Sequence, residues 1–324
     1  MRLTEAIKRG TVLVVENYKM VATVYAVNVA LAAIITVPLF SHLDRSLSLR
    51  GDRIDMAQSF SYEWWSEFDF KAEGLARTVR PSLSSGLAPL FENCEKLLTG
   101  DFPSFGPFVF ALGLGYLFLA AFFNGGAIAL FVDEKRSFSV SRFFSYSGYY
   151  FHHLFALSLT AVLLFFILYR VVNPLLFGLA DALTAAWLSE RSVWGINLIV
   201  YLLIFAFVVF FNMIFDYAKI IVVYEKKDSS WLCIWLAIKF AFRNLGSAVL
   251  LYLSLAAVGA AMVLLFGTLH GMTNSAGMLL MIIAVLIFQL FIVMKIAWRL
   301  VFYAAQFSFY QSGQDQVRKL RKIR

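Results

Sequence analysis

Four charged residues interrupt long apolar runs of the sequence and could act together chemically: Asp216 with Lys219, and Lys295 with Arg299. Residues three or four positions apart share one face of a helix, so the members of each pair can meet. A carboxylate beside several cations can form ion pairs, and clustered Lys and Arg side chains can hold an anion such as a phosphate. Which chemistry is available depends on the elements that carry these residues.

The depth of these residues leaves three interpretations open. At about 1.5 Å per helical residue, Asp216 and Lys295 lie at a similar level in two different helices. The first interpretation is an interhelical salt bridge. The second is a headgroup or anion site formed by Lys219, Lys295 and Arg299, in which Asp216 orients one cation. The third is a proton relay, although the sequence places no second carboxylate or histidine deeper in these helices to receive the proton.

The sequence lacks the common motifs for catalysis and metal binding. It contains no H-E-x-x-H, G-x-S-x-G or G-x-x-x-x-G-K-[ST] motif. His152 and His153 are adjacent and point to different helix faces, while Cys94 and Cys233 fall in segments that we expect on opposite sides of a membrane. We therefore predict no catalytic residue, no metal ion, no cofactor and no enzymatic activity.

The composition identifies the elements that position the charged residues. Of the 324 residues, 61% are hydrophobic and 15% are charged, and the mean hydropathy is +0.76. Soluble domains carry about 25% charged residues, so the sequence predicts an all-α, polytopic membrane protein with one integral membrane domain over residues 1–324. Basic residues beside the spans account for the net charge of +8, which disfavours nucleic-acid binding.

Six runs are long and apolar enough to be transmembrane helices of about 20 residues. They cover residues 20–40, 105–132, 151–177, 194–217, 245–266 and 277–297. Most of the 28 Lys and Arg residues fall on one side of these spans, which predicts that both termini are cytoplasmic. The basic tail 311–324 then lies in the cytoplasm, and the loop 41–104 is extracytoplasmic.

Amphipathic stretches precede the odd-numbered spans on the predicted cytoplasmic side. The first lies within residues 1–19, the second covers residues 139–150 and the third covers residues 228–243. Their apolar faces and flanking charges are typical of helices that lie in the membrane interface. The second and third align with each other, so we predict three repeated units, each an interfacial elbow helix followed by a transmembrane hairpin.

The loop 41–104 contains two stretches that could form helices, residues 62–70 and residues 87–98. The first carries Trp64 and Trp65, and the second carries Phe91. One interpretation is a cap that lies on the ends of the spans. The other is a docking site for a partner, with these three aromatic residues as its anchors.

Two segments resemble a known pattern. Residues 215–225, FDYAKIIVVYE, and residues 239–248, KFAFRNLGSA, are similar to a pattern in a family of uncharacterised bacterial six-helix inner-membrane proteins. The pattern is also distantly similar to the membrane domain of some glycerophosphodiester phosphodiesterases. The resemblance implies a bacterial inner membrane and no activity, because the phosphodiesterase chemistry belongs to a separate soluble domain.

The basic rim and the scarcity of polar residues midway through the spans favour a protein that binds or moves a lipid or another amphipathic molecule at the inner leaflet. Two alternatives stay open, namely an accessory or scaffold subunit of a membrane protein complex and a proton-coupled carrier. The expected partners are membrane lipids and, for a scaffold, another membrane protein. The sequence leaves the oligomeric state open.

Overall fold

The computed structural model describes residues 3–48, 61–72, 76, 107–133, 138–187, 189–272 and 278–323. Within these ranges no strand occurs. The helices, in chain order, are α1 (Leu3–Glu16), α2 (Tyr18–Ser48), α3 (Tyr62–Lys71), α4 (Pro107–Val132), α5 (Val140–Ile167), α6 (Asn173–Thr184), α7 (Glu190–Glu225), α8 (Ser230–Arg243), α9 (Leu245–Met272) and α10 (Met278–Ile323). A π-helical turn, Leu168–Val172, joins α5 to α6.

Six helical segments are long and apolar enough to cross a membrane. They are Tyr18–Leu47, Ala111–Val132, Val140–Thr184, Glu190–Glu225, Leu245–Leu269 and Ile282–Asp315. The prediction of a helical protein with six helices long and apolar enough to span a membrane is therefore confirmed for the described residues. The helices are longer than the predicted spans because a charged residue ends an apolar run without ending a helix. Helix α7, for example, continues through Asp216 and Lys219 to Glu225.

Most of the buried residues lie at one end of the spans, which we call the basic end. Helices α2, α5 and α9 begin there, and α4 and α7 end there. Three helices, α4, α7 and α10, contact one another pairwise. Each has a continuous buried segment at this end, over residues 127–131, 213–218 and 300–310 respectively. A helix that is buried on every face is surrounded by protein, so these segments form the centre of the basic end.

Other helical segments surround this centre. Helix α1 packs on α10, the first turns of α5 pack on α4, and α8 packs on α7. Two of the buried faces consist mostly of small residues at four-residue spacing, namely Ala6, Gly10 and Val14 in α1 and Cys233, Ala237 and Ala241 in α8. A Cβ atom on Gly10 would lie 2.6 Å from the backbone nitrogen of Ala305, so this close approach requires glycine.

An asparagine separates each of the two short helices from the span that follows it. Asn17 lies between α1 and α2, and its Nδ2 donates a hydrogen bond to the carbonyl of Leu13 at 2.8 Å. Asn244 lies between α8 and α9 and donates in the same way to Phe240 at 3.0 Å. Side chains that bond to nearby backbone groups compete with helix continuation, so both breaks have a local cause.

The predicted second elbow is not a separate helix. Residues 139–150 lead into α5, which begins at Val140 and runs without interruption to Ile167. In the alignment of the second and third stretches, His153 takes the position of Asn244. Its Nε2 lies 4.0 Å from Asp228 Oδ1, and the helix continues through it. The amphipathic pattern was insufficient to predict a break.

Away from the basic end, the spans leave much of their surface exposed. In the most apolar window of each span the buried share lies between 0% and 44%, and for α10 it is 0%. Many of the exposed side chains on these helices are large and apolar, Ile34, Leu163 and Leu202 among them.

Candidate functional site

Helices α7 and α10 run parallel and in register at the basic end. Lys219 contacts Tyr303, which is 84 residues further along the chain. Glu225 contacts Tyr310, which is 85 residues further along. A nearly constant offset is expected when two helices run in the same direction with the same rise per residue. Polar residues therefore face each other along one line of contact, which we call the α7–α10 seam.

Asp216 lies at the centre of the charged cluster and is only 3% exposed. Its Oδ1 accepts a hydrogen bond from Lys219 Nζ at 3.1 Å and lies 3.5 Å from Arg299 Nη2. The i,i+3 spacing places Lys219 on the same face of α7, and the register of the helices brings Arg299 from α10. A carboxylate removed from water needs such partners, because an unpaired buried charge is strongly destabilising.

Tyr303 belongs to the cluster, although the sequence analysis did not identify it. Its Oη accepts hydrogen bonds from Arg299 Nη2 at 2.7 Å and from Lys219 Nζ at 3.5 Å. The guanidinium carbon of Arg299 also lies 4.5 Å from the centroid of the Tyr303 ring. In the sequence, only one feature indicates that Tyr303 belongs to the cluster: it follows Arg299 by one helical turn. With 17% aromatic residues in the chain, that spacing alone was not distinctive.

The three cations of the predicted site differ in exposure. The side chain of Lys219 is 13% exposed and that of Arg299 is 50% exposed. Lys295 precedes Arg299 by one turn of α10 and is exposed. Asp216 forms ion pairs with Lys219 and Arg299. The structure thus brings three of the four predicted residues together and leaves Lys295 beside them.

The cluster carries more positive than negative charge. Asp216 contributes one negative charge, whereas Lys219 and Arg299 contribute one positive charge each, and Lys295 adds another nearby. Further along the seam, Glu225 accepts a hydrogen bond from Tyr310 Oη at 2.5 Å. Excess charge in a medium of low dielectric constant is weakly screened and attracts a counter-ion.

Two buried side chains of the seam have hydrogen-bonding capacity that the described residues do not use. Oδ2 of Asp216 has no hydrogen-bond partner among them. Both amide atoms of Gln306, which is fully buried, also lack one. Gln306 lies one turn from Tyr303 along α10. Buried polar groups are normally satisfied by protein or by water, so these atoms are exceptions within the described part of the chain.

The aromatic residues of the predicted docking site lie at the opposite end of the spans. Trp64 is 7% exposed and stacks on Phe68, with ring centroids 5.1 Å apart. Trp65 packs beside them against the end of α2, and Phe91 lies outside the described residues. Helix α3 therefore covers the end of α2, and Trp64 presents little surface to a partner.

A cavity of about 310 Å³ lies between α2 and α3. It is lined by His42, Arg45, Ser46, Trp64, Glu67, Phe68 and Lys71. Lys71 Nζ donates a hydrogen bond to Glu67 Oε1 at 2.6 Å. Arg45 also lines the cavity, so its charged lining consists of Arg45, Glu67 and Lys71.

The described part of the chain contains no group of three or more His, Cys, Asp or Glu residues that could hold a metal ion. Cys233 is fully buried, and burial, together with nearby Glu225, raises the pKa of its thiol to about 11. Cys94 lies outside the described residues. Because Cys233 is inaccessible, its failure to react with a thiol reagent would not reveal on which side of a membrane it lies.

Comparison of the chain with models of protein families, with curated proteins and with solved structures finds no match.

Proposed function

We propose that the protein is a non-enzymatic, multi-pass protein of a bacterial inner membrane that binds or moves a lipid or another amphipathic molecule at the cytoplasmic leaflet. The observation that carries this proposal is the excess positive charge around Asp216, beside spans that leave apolar side chains exposed. An amphipathic molecule has both an anionic group and an apolar tail, so it can satisfy both features at once.

The proposal places the basic end on the cytoplasmic side. Lys226 and Lys227 lie in the segment between α7 and α8, and basic residues in short segments favour the cytoplasm. Helix α8 exposes Trp231, Trp235 and Phe242 by 73%, 57% and 62%. Exposed aromatic side chains beside basic residues are typical of a helix in the membrane interface, which supports an elbow role for α8.

The proposal includes three repeated units. Helix α1, the first turns of α5, and α8 pack on α10, α4 and α7 respectively. In this arrangement α4 ends the first unit, α7 ends the second and α10 ends the third. Each elbow thus packs on the last span of the unit before it, and the first unit follows the third in a cycle. Three units around a pseudo-threefold axis would produce this cyclic order. The three hairpins should superpose in an experimental structure, and hairpins of different geometry would contradict the repeat.

Native mass spectrometry after gentle extraction tests the lipid-binding proposal. We expect retained lipid on the wild-type protein and less lipid on a variant that combines Lys295→Ala with Arg299→Ala. A matched control combines Lys239→Ala with Arg243→Ala, which removes two exposed cations from α8 and should leave retention unchanged. Wild-type protein without lipid, or equal retention by both double variants, would contradict the proposal.

A second candidate function is an accessory or scaffold subunit of a membrane protein complex. Helix α3 favours it, because Tyr62 and Phe70 are 74% and 89% exposed at the end of the spans that lies opposite the basic end. A photo-crosslinking residue at position 70 should then join the chain to one defined protein, whereas the same residue at the buried position of Trp64 should not. Crosslinks to lipid alone at position 70 would count against a scaffold.

A proton-coupled carrier is the third candidate function. Protonation of Asp216 would require its ion pairs with Lys219 and Arg299 to break in each cycle. The geometry therefore supports this function less than lipid binding. A proton flux in proteoliposomes that disappears with Asp216→Asn would favour the proton-coupled carrier over lipid binding.

A further inference from the structure

Arg299 is held in one position while part of its guanidinium group remains accessible. Its Nη2 lies 3.5 Å from Asp216 Oδ1 and donates a hydrogen bond to Tyr303 Oη at 2.7 Å. Half of the side chain is nevertheless exposed. A guanidinium group has five N–H donors, so the remaining ones can bond to an acceptor outside the protein. Because the group is already ordered, binding loses less conformational entropy.

One face of α10 combines these cations with apolar residues. Positions 288, 292, 295 and 299 are spaced by three or four residues and therefore share a face of the helix. Lys295 and Arg299 occupy its half nearest the basic end, and Phe288 and Ile292 occupy the half toward the middle of the span. Phe288 is 45% exposed. The face thus offers positive charge at one end and an apolar strip at the other, which matches the layout of a phospholipid.

The charges of the seam select the chemical class of the headgroup. A headgroup that contains an ammonium group needs an anionic partner, and Asp216 is nearly inaccessible and already contacts two cations. Helix α9 contains no charged residue, and on α10 the only acidic residue among the described side chains is Asp315, four turns beyond Arg299. A phosphate diester of a neutral alcohol carries a single negative charge and no ammonium group, so it fits this face.

We infer that the face formed by Lys295 and Arg299 binds the phosphate of an anionic phospholipid that has no ammonium group, with its acyl chain along Ile292 and Phe288. The inference rests on the proposed function and specifies the ligand of that same site. Asp216 and Tyr303 act as positioning residues, because they orient the guanidinium group of Arg299 without facing the lipid.

The test compares two lipids of equal chain length, phosphatidylglycerol and phosphatidylethanolamine, added in equal amounts to the purified full-length protein in detergent. Native mass spectrometry counts the adducts. We expect the wild type to prefer phosphatidylglycerol about tenfold, because both lipids offer a phosphate but the ammonium group of phosphatidylethanolamine would lie beside Lys295 and Arg299 without an anionic partner. Arg299→Gln removes one of the cations that disfavour the ammonium group, so the preference should fall. Lys239→Ala, which removes an exposed cation of α8, should leave it unchanged.

Each possible outcome separates the inference from the proposed function. Equal adducts of the two lipids in the wild type would overturn the inference and leave lipid binding intact, whereas the lack of any lipid adduct would overturn both. Displacement of phosphatidylglycerol by millimolar inorganic phosphate would identify a solute site and overturn the lipid assignment. If Arg299→Gln does not fold, Lys295→Gln is measured in the same assay. An unchanged preference in the variant that folds would overturn the inference.

Discussion

Asp216→Asn should destabilise the protein much more than the loss of a surface ion pair. The substitution leaves Lys219, whose side chain is 13% exposed, without its anion at 3.1 Å. Breaking a buried pair from one side costs about 3–5 kcal/mol. The contact with Arg299 adds at most about 1 kcal/mol, because that side chain is half exposed. We therefore expect the free energy of unfolding to fall by about 3–6 kcal/mol.

Two further variants isolate the cause of this loss. Asp216→Leu combined with Lys219→Met replaces the pair by apolar side chains, a change that is often neutral or stabilising, so we expect recovery to within about 1 kcal/mol of the wild type. The surface pair of Arg9 and Glu5, at 3.1 Å with side chains 60% and 50% exposed, provides the control. Glu5→Gln should cost no more than about 0.5 kcal/mol.

The assay is reversible unfolding in mixed micelles with increasing SDS, followed by pulse proteolysis and by tryptophan fluorescence. Coincident transitions by the two probes would justify a two-state treatment. An Asp216→Asn variant as stable as Glu5→Gln would refute the reasoning, because a buried cation would then be tolerated without its anion. A double variant as unstable as Asp216→Asn would refute it as well, since the loss would then come from packing.

Three further predictions concern other parts of the basic end. A Cβ atom at Gly126 would collide with Ser147 Oγ and lie 2.7 Å from the carbonyl oxygen of Phe143, so Gly126→Ala should cost about 1–3 kcal/mol in the same assay. Gly148→Ala, which meets nothing within 4 Å, should be neutral or slightly stabilising. The pKa of Cys233 is raised to about 11, so its thiolate is scarce at neutral pH. Alkylation of this thiol should accelerate as the pH rises toward 11 and when the protein unfolds in SDS. Fast labelling of the folded protein at pH 7 would contradict the burial of Cys233. Gln306→Met should preserve or raise the SDS unfolding midpoint, because it replaces a fully buried amide whose two polar atoms have no hydrogen-bond partner among the described residues. A lower midpoint would contradict this expectation.

The sequence predicted the membrane class and the depth of the charged residues along their helices, because both follow from counting residues in apolar runs. Run length and hydropathy identify spans. Helical rise then placed Asp216 near Arg299, although these residues are far apart in the chain. The register between α7 and α10 makes the contact specific, and register depends on packing that no single sequence pattern reveals.

Tyr303 and the second elbow show where the sequence was insufficient. Tyr303 is one of 14 tyrosines, and only its position on the α7 face of α10 distinguishes it. The break after a short helix depends on a single side chain, Asn17 or Asn244, rather than on the amphipathic pattern that all three segments share. His153 occupies the third position, and the helix continues through it.

The contact between Gly10 and Ala305 joins segments that are synthesised at very different times. The ribosome adds about 295 residues after Gly10 before the docking surface of α1 exists, and so distant a contact is among the last to form. Until then the small-residue face of α1 has no partner in its own chain. A chain that stops short of α10 would keep that face exposed, which would mark it for chaperones or proteases before it accumulates.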